Sequence, residues 1–290
     1  MKSMTLPAYA KLNLTLDILR KRPDGYHDLR MVMQSIALHD TVTVRTETGD
    51  GDITVRTDRE DLPGGPGNIA WKAARAFYDA VGMENGGTEI LLEKRIPMQA
   101  GMAGGSADGA AVLQALRSLY APEMPRQELE RIGLQVGSDV PFCVRGGTAL
   151  AEGRGEVLTD LPPLPACVIV VCKPEFGLST PALFGRVQVE KLSRRPDHDA
   201  MKRALTAGNL GAVAQQMRNV FEEVLTAEES REIAYLKDVM LRCGALNAVM
   251  TGSGPTVFGL FAQKEQAEHA AQVLRSRYAQ LFLTTPVQQV

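Results

Sequence analysis

Cysteine is scarce in this 290-residue chain: there are four, none in Cys-x-x-Cys spacing. Cys143, Cys167 and Cys172 sit among apolar neighbours, so a disulfide framework and a cysteine zinc site give way to reduced core thiols, as in a cytoplasmic protein. Four histidines without His-x-x-x-His spacing leave no helical zinc motif. No apolar run approaches the ~18 residues of a membrane span; the longest, 166–172, reads as a buried strand. The first residues lack the apolar core of a secretory signal, so cytoplasmic residence is expected. The net charge of -2 gives no basic excess for nucleic acid. Six Tyr and eight Phe are not interleaved with basic residues, which argues against a base-stacking platform. No repeat or low-complexity tract is visible.

What is present is ordinary for a globular protein: 44% hydrophobic and 23% charged residues, in a chain long enough for one large domain or two smaller ones. Residues 8–19 alternate, with Leu12, Leu14, Leu16 and Ile18 on one face, as a half-buried strand does. Short strands are predicted at 41–44, 53–55, 88–92, 148–151 and 157–158. Helices are predicted over 68–81, 105–119 and 126–135. The first of them carries an inner face of Ile69, Ala73, Ala76, Phe77 and Ala80. The prolines at 162, 163 and 165 mark a linker. Beyond it come a strand at 167–172, several helices, a strand-loop-strand at 248–261, a helix at 264–278 and a strand at 281–284. The pattern predicts an α+β protein in two halves, 1–160 and 161–290.

Residues 97–108 (Pro97, Met98, Gln99, Ala100, Gly101, Met102, Ala103, Gly104, Gly105, Ser106, Ala107, Asp108) are rich in glycine and small side chains and run straight into an apolar, alanine-rich segment. Such a loop lets consecutive backbone N–H groups approach an anion, and a helix beginning there adds its dipole and unpaired donors. The expected guest is a polyphosphate. The loop is not a Walker A motif, because Ala110 stands where the lysine belongs, nor a Gly-x-Gly-x-x-Gly fingerprint, because Ala103 occupies the second glycine position.

Four further places could carry chemistry. Lys11 and Asn13, two apart on the first strand, share a face that is either its solvent side or the wall of a cleft. Asp139, in Gly137-Ser138-Asp139-Val140-Pro141-Phe142, is either a cap or Asx-turn residue or the proton acceptor of a phosphoryl-transfer site next to a lysine. Pro23-Asp24-Gly25 is a turn, which does not account for the Tyr26-His27 pair after it; those rings suit a flat heterocycle. Thr251-Gly252-Ser253-Gly254-Pro255 is a second glycine-rich turn, either a plain hairpin connection or backbone packed against the first loop or a phosphate.

Together, Pro7-Ala8-Tyr9-Ala10-Lys11-Leu12-Asn13, the central glycine loop and the Thr251-Gly252-Ser253-Gly254 turn resemble the GHMP kinases, over nearly the whole chain. Asp24-Gly25-Tyr26-His27 and Gly137-Ser138-Asp139-Val140-Pro141-Phe142 narrow the resemblance to members acting on a cytidyl sugar alcohol in isoprenoid-precursor synthesis. The resemblance implies a ribosomal S5 domain 2-like N-terminal half, a ferredoxin-like C-terminal half and a cleft between them. It implies transfer of the ATP γ-phosphoryl to the 2-hydroxyl of an erythritol moiety, with Asp139 as base and Lys11 as its cationic partner. Asn13, Tyr26 and His27 would bind the cytidyl substrate, Tyr26 by stacking and His27 at the cytosine edge. Thr180 and Phe184 would line the same pocket. Residues 97–107 would wrap the ATP phosphates, with Asn68 and Lys94 near the adenosine.

The departures fall on the loop. The family loop usually reads Gly-Leu-Gly-Gly-Gly-Ser-Ser; here Met102, Ala103 and Ala107 replace its Leu, first middle Gly and last Ser. Ala103 costs about 1 kcal/mol if that position needs a positive φ. Magnesium is expected with ATP, carried on the phosphates near Ser106, with no dedicated protein metal site. Monomer and homodimer both stay open. The alternatives are a homoserine- or mevalonate-type kinase of the same superfamily and a catalytically silent binding relative. Tyr26-His27 speaks against the former, and the pairing of Lys11 with Asp139 against the latter.

Overall fold

The structure, a computed structural model, describes residues 1–47, 51–84 and 87–288. Two twenty-residue strands, β1 (Lys2–Lys21) and β2 (His27–Thr46), form an antiparallel ribbon. They are followed by β3 (Ile53–Thr57), helix α1 (Ile69–Val81) and β4 (Thr88–Glu93). Helices α2 (Gly104–Tyr120), α3 (Arg126–Val136) and α4 (Val140–Arg145) precede the hairpin of β5 (Thr148–Gly153) and β6 (Val157–Asp160). After the prolines come β7 (Val168–Lys173), α5 (Thr180–Arg186), α6 (His198–Thr206), α7 (Leu210–Gln216) and β8 (Arg218–Asn219). The chain continues through α8 (Ala227–Arg242), β9 (Asn247–Met250), β10 (Val257–Phe261), α9 (Lys264–Arg275) and β11 (Gln280–Thr284).

The first sheet runs β3-β4-β2-β1-β8, with β5 beside β2 and β6 beside β5. The second runs β11-β7-β10-β9, antiparallel throughout, which is a ferredoxin-like order. The α+β class and the two sheets agree with the expectation from sequence, yet the halves are stitched together. β8 pairs in parallel with Thr15 and Leu16 of β1. Thr285 and Val287 exchange backbone hydrogen bonds with Ala37 and Ser35 of β2, at 2.9 and 2.8 Å.

Three expectations need correction. The strand at 8–19 is longer, and from Ala10 to Ile18 it is buried on both faces. Its polar face is not solvated, because the Asn13 N–H donates to Thr251 Oγ1 of the second half and Asp17 pairs with Arg195 at 2.7 Å. The strand predicted at 41–44 is only the end of β2. The pairing register shifts between Tyr9 and Lys11 of β1, opposite His39 and Ser35, and such an irregularity breaks the alternation that marks a strand. The inner face of α1 is also rotated: Ala70, Ala73, Ala74, Phe77 and Tyr78 are buried, while Ala80 is exposed. Tyr78 goes inside because Thr88 satisfies its hydroxyl at 2.8 Å.

Candidate active site

The loop after β4 is rooted in the core by Ala100, Met102 and Ala107, all buried. Gln99, Gly101, Ala103 and Ser106 instead line a cleft of about 1260 Å³. Ala103 stands at φ +58 and Gln99 at φ +49, so two residues with a Cβ occupy the left-handed region in one short loop. That conformation costs about 1 kcal/mol or more for each, and it turns successive N–H groups to one side. Ala103 is also the N-cap of α2 and offers no side-chain acceptor, so no side chain caps the first amides of that helix.

The second glycine turn joins β9 to β10 and is packed against this loop, backbone on backbone. A Cβ on Gly101 (φ +70) would collide with the Thr251 carbonyl, and one on Gly252 (φ +55) would stand 2.6 Å from the Gly101 oxygen. β1 is bonded to both turns. The Lys11 N–H donates to the Met102 carbonyl at 3.2 Å, and the Asn13 N–H donates to Thr251 Oγ1 at 2.9 Å. Asn219 of β8 holds the far side, donating through Nδ2 to the carbonyls of Met250 (2.7 Å) and Gly252 (2.8 Å).

Lys11 and Asp139 line the same cleft. Lys11 Nζ donates to Asn13 Oδ1 at 2.6 Å; no ion pair joins it to Asp139 among the described residues. Asp139 is the N-cap of α4, but its side chain makes no capping bond, so the carboxylate is left toward the cleft. Both charges reach the buried thiol of Cys143, one turn along α4. Burial raises that thiol, with Asp139 pushing it further up and Lys11 drawing it down. Ser106 Oγ faces the same corner, 3.9 Å from where a Cβ on Gly137 would be.

At the other end the cleft is aromatic. The tip of the β1–β2 hairpin is folded by Asp24, whose carboxylate accepts the Tyr26 N–H at 3.1 Å, and by Gly25 at φ +87. This presents Tyr26, 56% exposed, and His27 to the cleft. His27 stacks on Phe184 of α5 (centroids 5.0 Å, 21°), and Phe184 meets Phe221 edge-on at 4.9 Å. Burial, and then the charge of Lys21, lower the His27 pKa, which keeps the ring neutral at pH 7. Thr180 Oγ1 lies 2.7 Å from Ser253 Oγ, tying α5 to the second glycine turn.

Thus Lys11, Asp139, Tyr26, His27, Thr180, Phe184 and four members of the glycine loop share one cleft. Asn13 lies just beneath it, fully buried. Three expected residues are elsewhere engaged. Asn68 caps α1, accepting from Ala70 at 2.9 Å and donating to Pro63 at 2.9 Å. Pro97 is buried where the loop begins. Lys94 is enclosed between Asp40 and Asp108 and does not line the cleft. Arg154 and Phe221 were missed. Arg154 stands 5.1 Å from the Tyr26 ring centroid, on the turn between β5 and β6; its Gly153-Arg154-Gly155 setting is the signal that could have found it.

The chain is similar to known proteins over nearly its whole length. The family model for the GHMP kinases N terminal domain matches residues 68–147, and that for GHMP kinases C terminal matches 201–280. A 4-diphosphocytidyl-2-C-methyl-D-erythritol kinase of Acetivibrio thermocellus is 44% identical over 99% of this chain and 100% of its own. A crystal structure of 4-(cytidine 5'-diphospho)-2C-methyl-D-erythritol kinase superposes with TM-score 0.81 at 32% identity, covering 98% of this chain and 99% of the other. Homoserine kinase from Cytophaga hutchinsonii (TM-score 0.78, 20% identity, 100% and 96% covered) shares the fold. The chain therefore belongs to the GHMP kinase family, in the branch of the 4-diphosphocytidyl-2-C-methyl-D-erythritol kinases.

Proposed function

We propose that this protein transfers the γ-phosphoryl group of ATP to the 2-hydroxyl of 4-diphosphocytidyl-2-C-methyl-D-erythritol. The observation that carries the reading is a single cleft with uncapped helix amides at one end, stacked aromatic rings at the other, and Lys11 with Asp139 lining it. Its volume exceeds the roughly 300–1,000 Å³ of a one-ligand site, which suits two ligands meeting in the middle.

In this reading the acceptor hydroxyl oxygen attacks the γ-phosphorus, the bond to the β,γ-bridging oxygen breaks, and ADP leaves. Asp139 takes the hydroxyl proton, and Lys11, oriented by Asn13, stabilises the charge that develops on the transferred group. The amides of Gly101 to Ser106 receive the phosphates. Tyr26 stacks on the cytosine and the neutral His27 hydrogen-bonds its edge, with Phe184 behind the imidazole and Thr180 at the pocket wall. Among the described residues no group of three or more His, Cys, Asp or Glu side chains could hold a metal ion, so magnesium would arrive on the nucleotide, with the Ser106 hydroxyl as its hard-oxygen neighbour.

We also propose a domain boundary at residue 160, where β6 ends ahead of the prolines, and a cytoplasmic place of work. No helix among the described residues is long and apolar enough to cross a membrane. A coupled ADP-release assay across the cytidyl substrate, homoserine and mevalonate tests the reaction. Turnover confined to the cytidyl substrate is the expected outcome; preference for either other acceptor would remove the cytosine pocket from the account.

A further inference from the structure

The Lys94 ammonium lies between two carboxylates, Asp40 Oδ2 at 2.5 Å and Asp108 Oδ2, and the three side chains are only 4%, 0% and 3% exposed. They come from three places: the middle of β2, the connection just after β4, and the second turn of α2. The other oxygen of Asp40 accepts the backbone N–H groups of Arg95 (2.5 Å) and Ile96 (2.7 Å). The Ile96 side chain stands 3.2 Å, and Asp40 Oδ2 3.8 Å, from where a Cβ on Gly104 would sit. Residues 94–96 before the glycine-rich loop and 104–108 after it therefore meet on one buried charge. Among the described residues Asp108 has no second anchor, since its Oδ1 is buried without a hydrogen-bond partner there.

We propose that Lys94 is a positioning residue: held by Asp40 and Asp108, it fastens the two ends of loop 97–103 together and so aims the amides that receive the triphosphate. The inference rests on the reading that this loop binds the ATP phosphates. A direct contact between Lys94 and the adenosine is the competing role. Removing the buried ammonium leaves Asp40 and Asp108 facing each other without the donor that joins them; even when Asp108 holds a proton, the three-way tie between residues 94–96, Asp40 and α2 is gone, so the base of the loop loosens. Asp40→Asn does less: a balanced Lys94–Asp108 pair remains, but the new amide cannot both accept from the Arg95 and Ile96 N–H groups and accept from the ammonium, because its other atom is a donor.

The test compares binding of ATP and of inorganic tripolyphosphate, each with magnesium, to the parent protein, Lys94→Met and Asp40→Asn, alongside KM for the cytidyl substrate. Both variants are expected to weaken ATP and tripolyphosphate by the same factor, roughly tenfold or more, with the cytidyl KM within about twofold. Where Lys94→Met does not fold, Asp40→Asn carries the test. Weaker ATP with unchanged tripolyphosphate would assign Lys94 to the nucleoside and overturn the proposal. So would unchanged binding of both, or equal losses for ATP and the cytidyl substrate, which mark general loss of structure. A parent protein that binds ATP but not tripolyphosphate would instead overturn the phosphate role of the loop, and this inference with it.

Discussion

The backbone N–H of Lys11 donates to the carbonyl of Met102 at 3.2 Å, so the strand that carries the cation and the glycine-rich loop are one hydrogen-bonded unit. Two residues on, the Asn13 N–H donates to the side-chain Oγ1 of Thr251 at 2.9 Å, and the second glycine turn joins the same unit. The separation between Lys11 and the loop amides is thus set by main-chain bonds, the least compliant part of the molecule.

Asp139→Asn keeps the shape of the side chain and removes its basicity. kcat is expected to fall by about 10²–10⁴-fold, with KM for ATP changed little. Single-turnover ADP formation and equilibrium ATP binding measure the two quantities; undiminished turnover would take Asp139 out of the proton transfer.

Tyr26→Ala removes a ring that is more than half exposed and therefore contributes little to stability. If it stacks on cytosine, KM for the cytidyl substrate should rise about 5- to 100-fold while KM for ATP stays put. Equal losses for both substrates would place the ring outside a cytosine pocket.

Gly101→Ala should unfold or badly loosen the site, because the added methyl meets the Thr251 carbonyl and the position needs φ +70. A loss of about 2 kcal/mol or more in denaturant titrations is expected. Ala103→Gly, two residues later, should be near neutral, since relief of the left-handed alanine, about 1 kcal/mol, is offset by the entropy of glycine. If Gly101→Ala were as stable as the parent, the backbone-on-backbone contact would not exist in solution.

The Asp108 carboxyl is raised to about 7, chiefly by burial, with Lys94 opposing and the Asp40 charge adding to it. The folded protein then keeps a proton that the unfolded chain releases near its ordinary pKa of about 4. The sign follows: this contribution to stability is whole below about pH 4 and is lost as pH rises toward 7. Asp108→Asn, neutral at every pH, should gain in Tm relative to the parent as pH rises from 4 to 8. A Tm difference that does not vary with pH would contradict this.

The longer helices, the two-part α+β organisation and the glycine loop are legible in the sequence because each has a local signature. Lys11 and Asp139 stand out only through the family resemblance, and in the structure they share a cleft without an ion pair among the described residues. What was not legible depended on distant partners. Lys11, Asn13 and Asp17 alternate with leucines like a solvated face, yet are buried, since Thr251 and Arg195 reach them from the other half. Lys94 looked available for a ligand because its two carboxylates lie 54 and 14 positions away. Residues 27–40 carry no clean strand pattern because the register slips there. Asn219, which pins the second turn, sits on a two-residue strand too short to leave a pattern.

The bonds from β2 to residues 284–287 have a consequence for biosynthesis. Leu38 and Thr284, which are joined at 2.9 Å, lie 246 positions apart. A nascent chain on the ribosome cannot complete the edge opposite Lys11 until residues 284–287 have been translated, so the first sheet must wait with that edge open. Ribosome-stalled intermediates ending near residue 160 should accordingly be the species that chaperones and proteases find first.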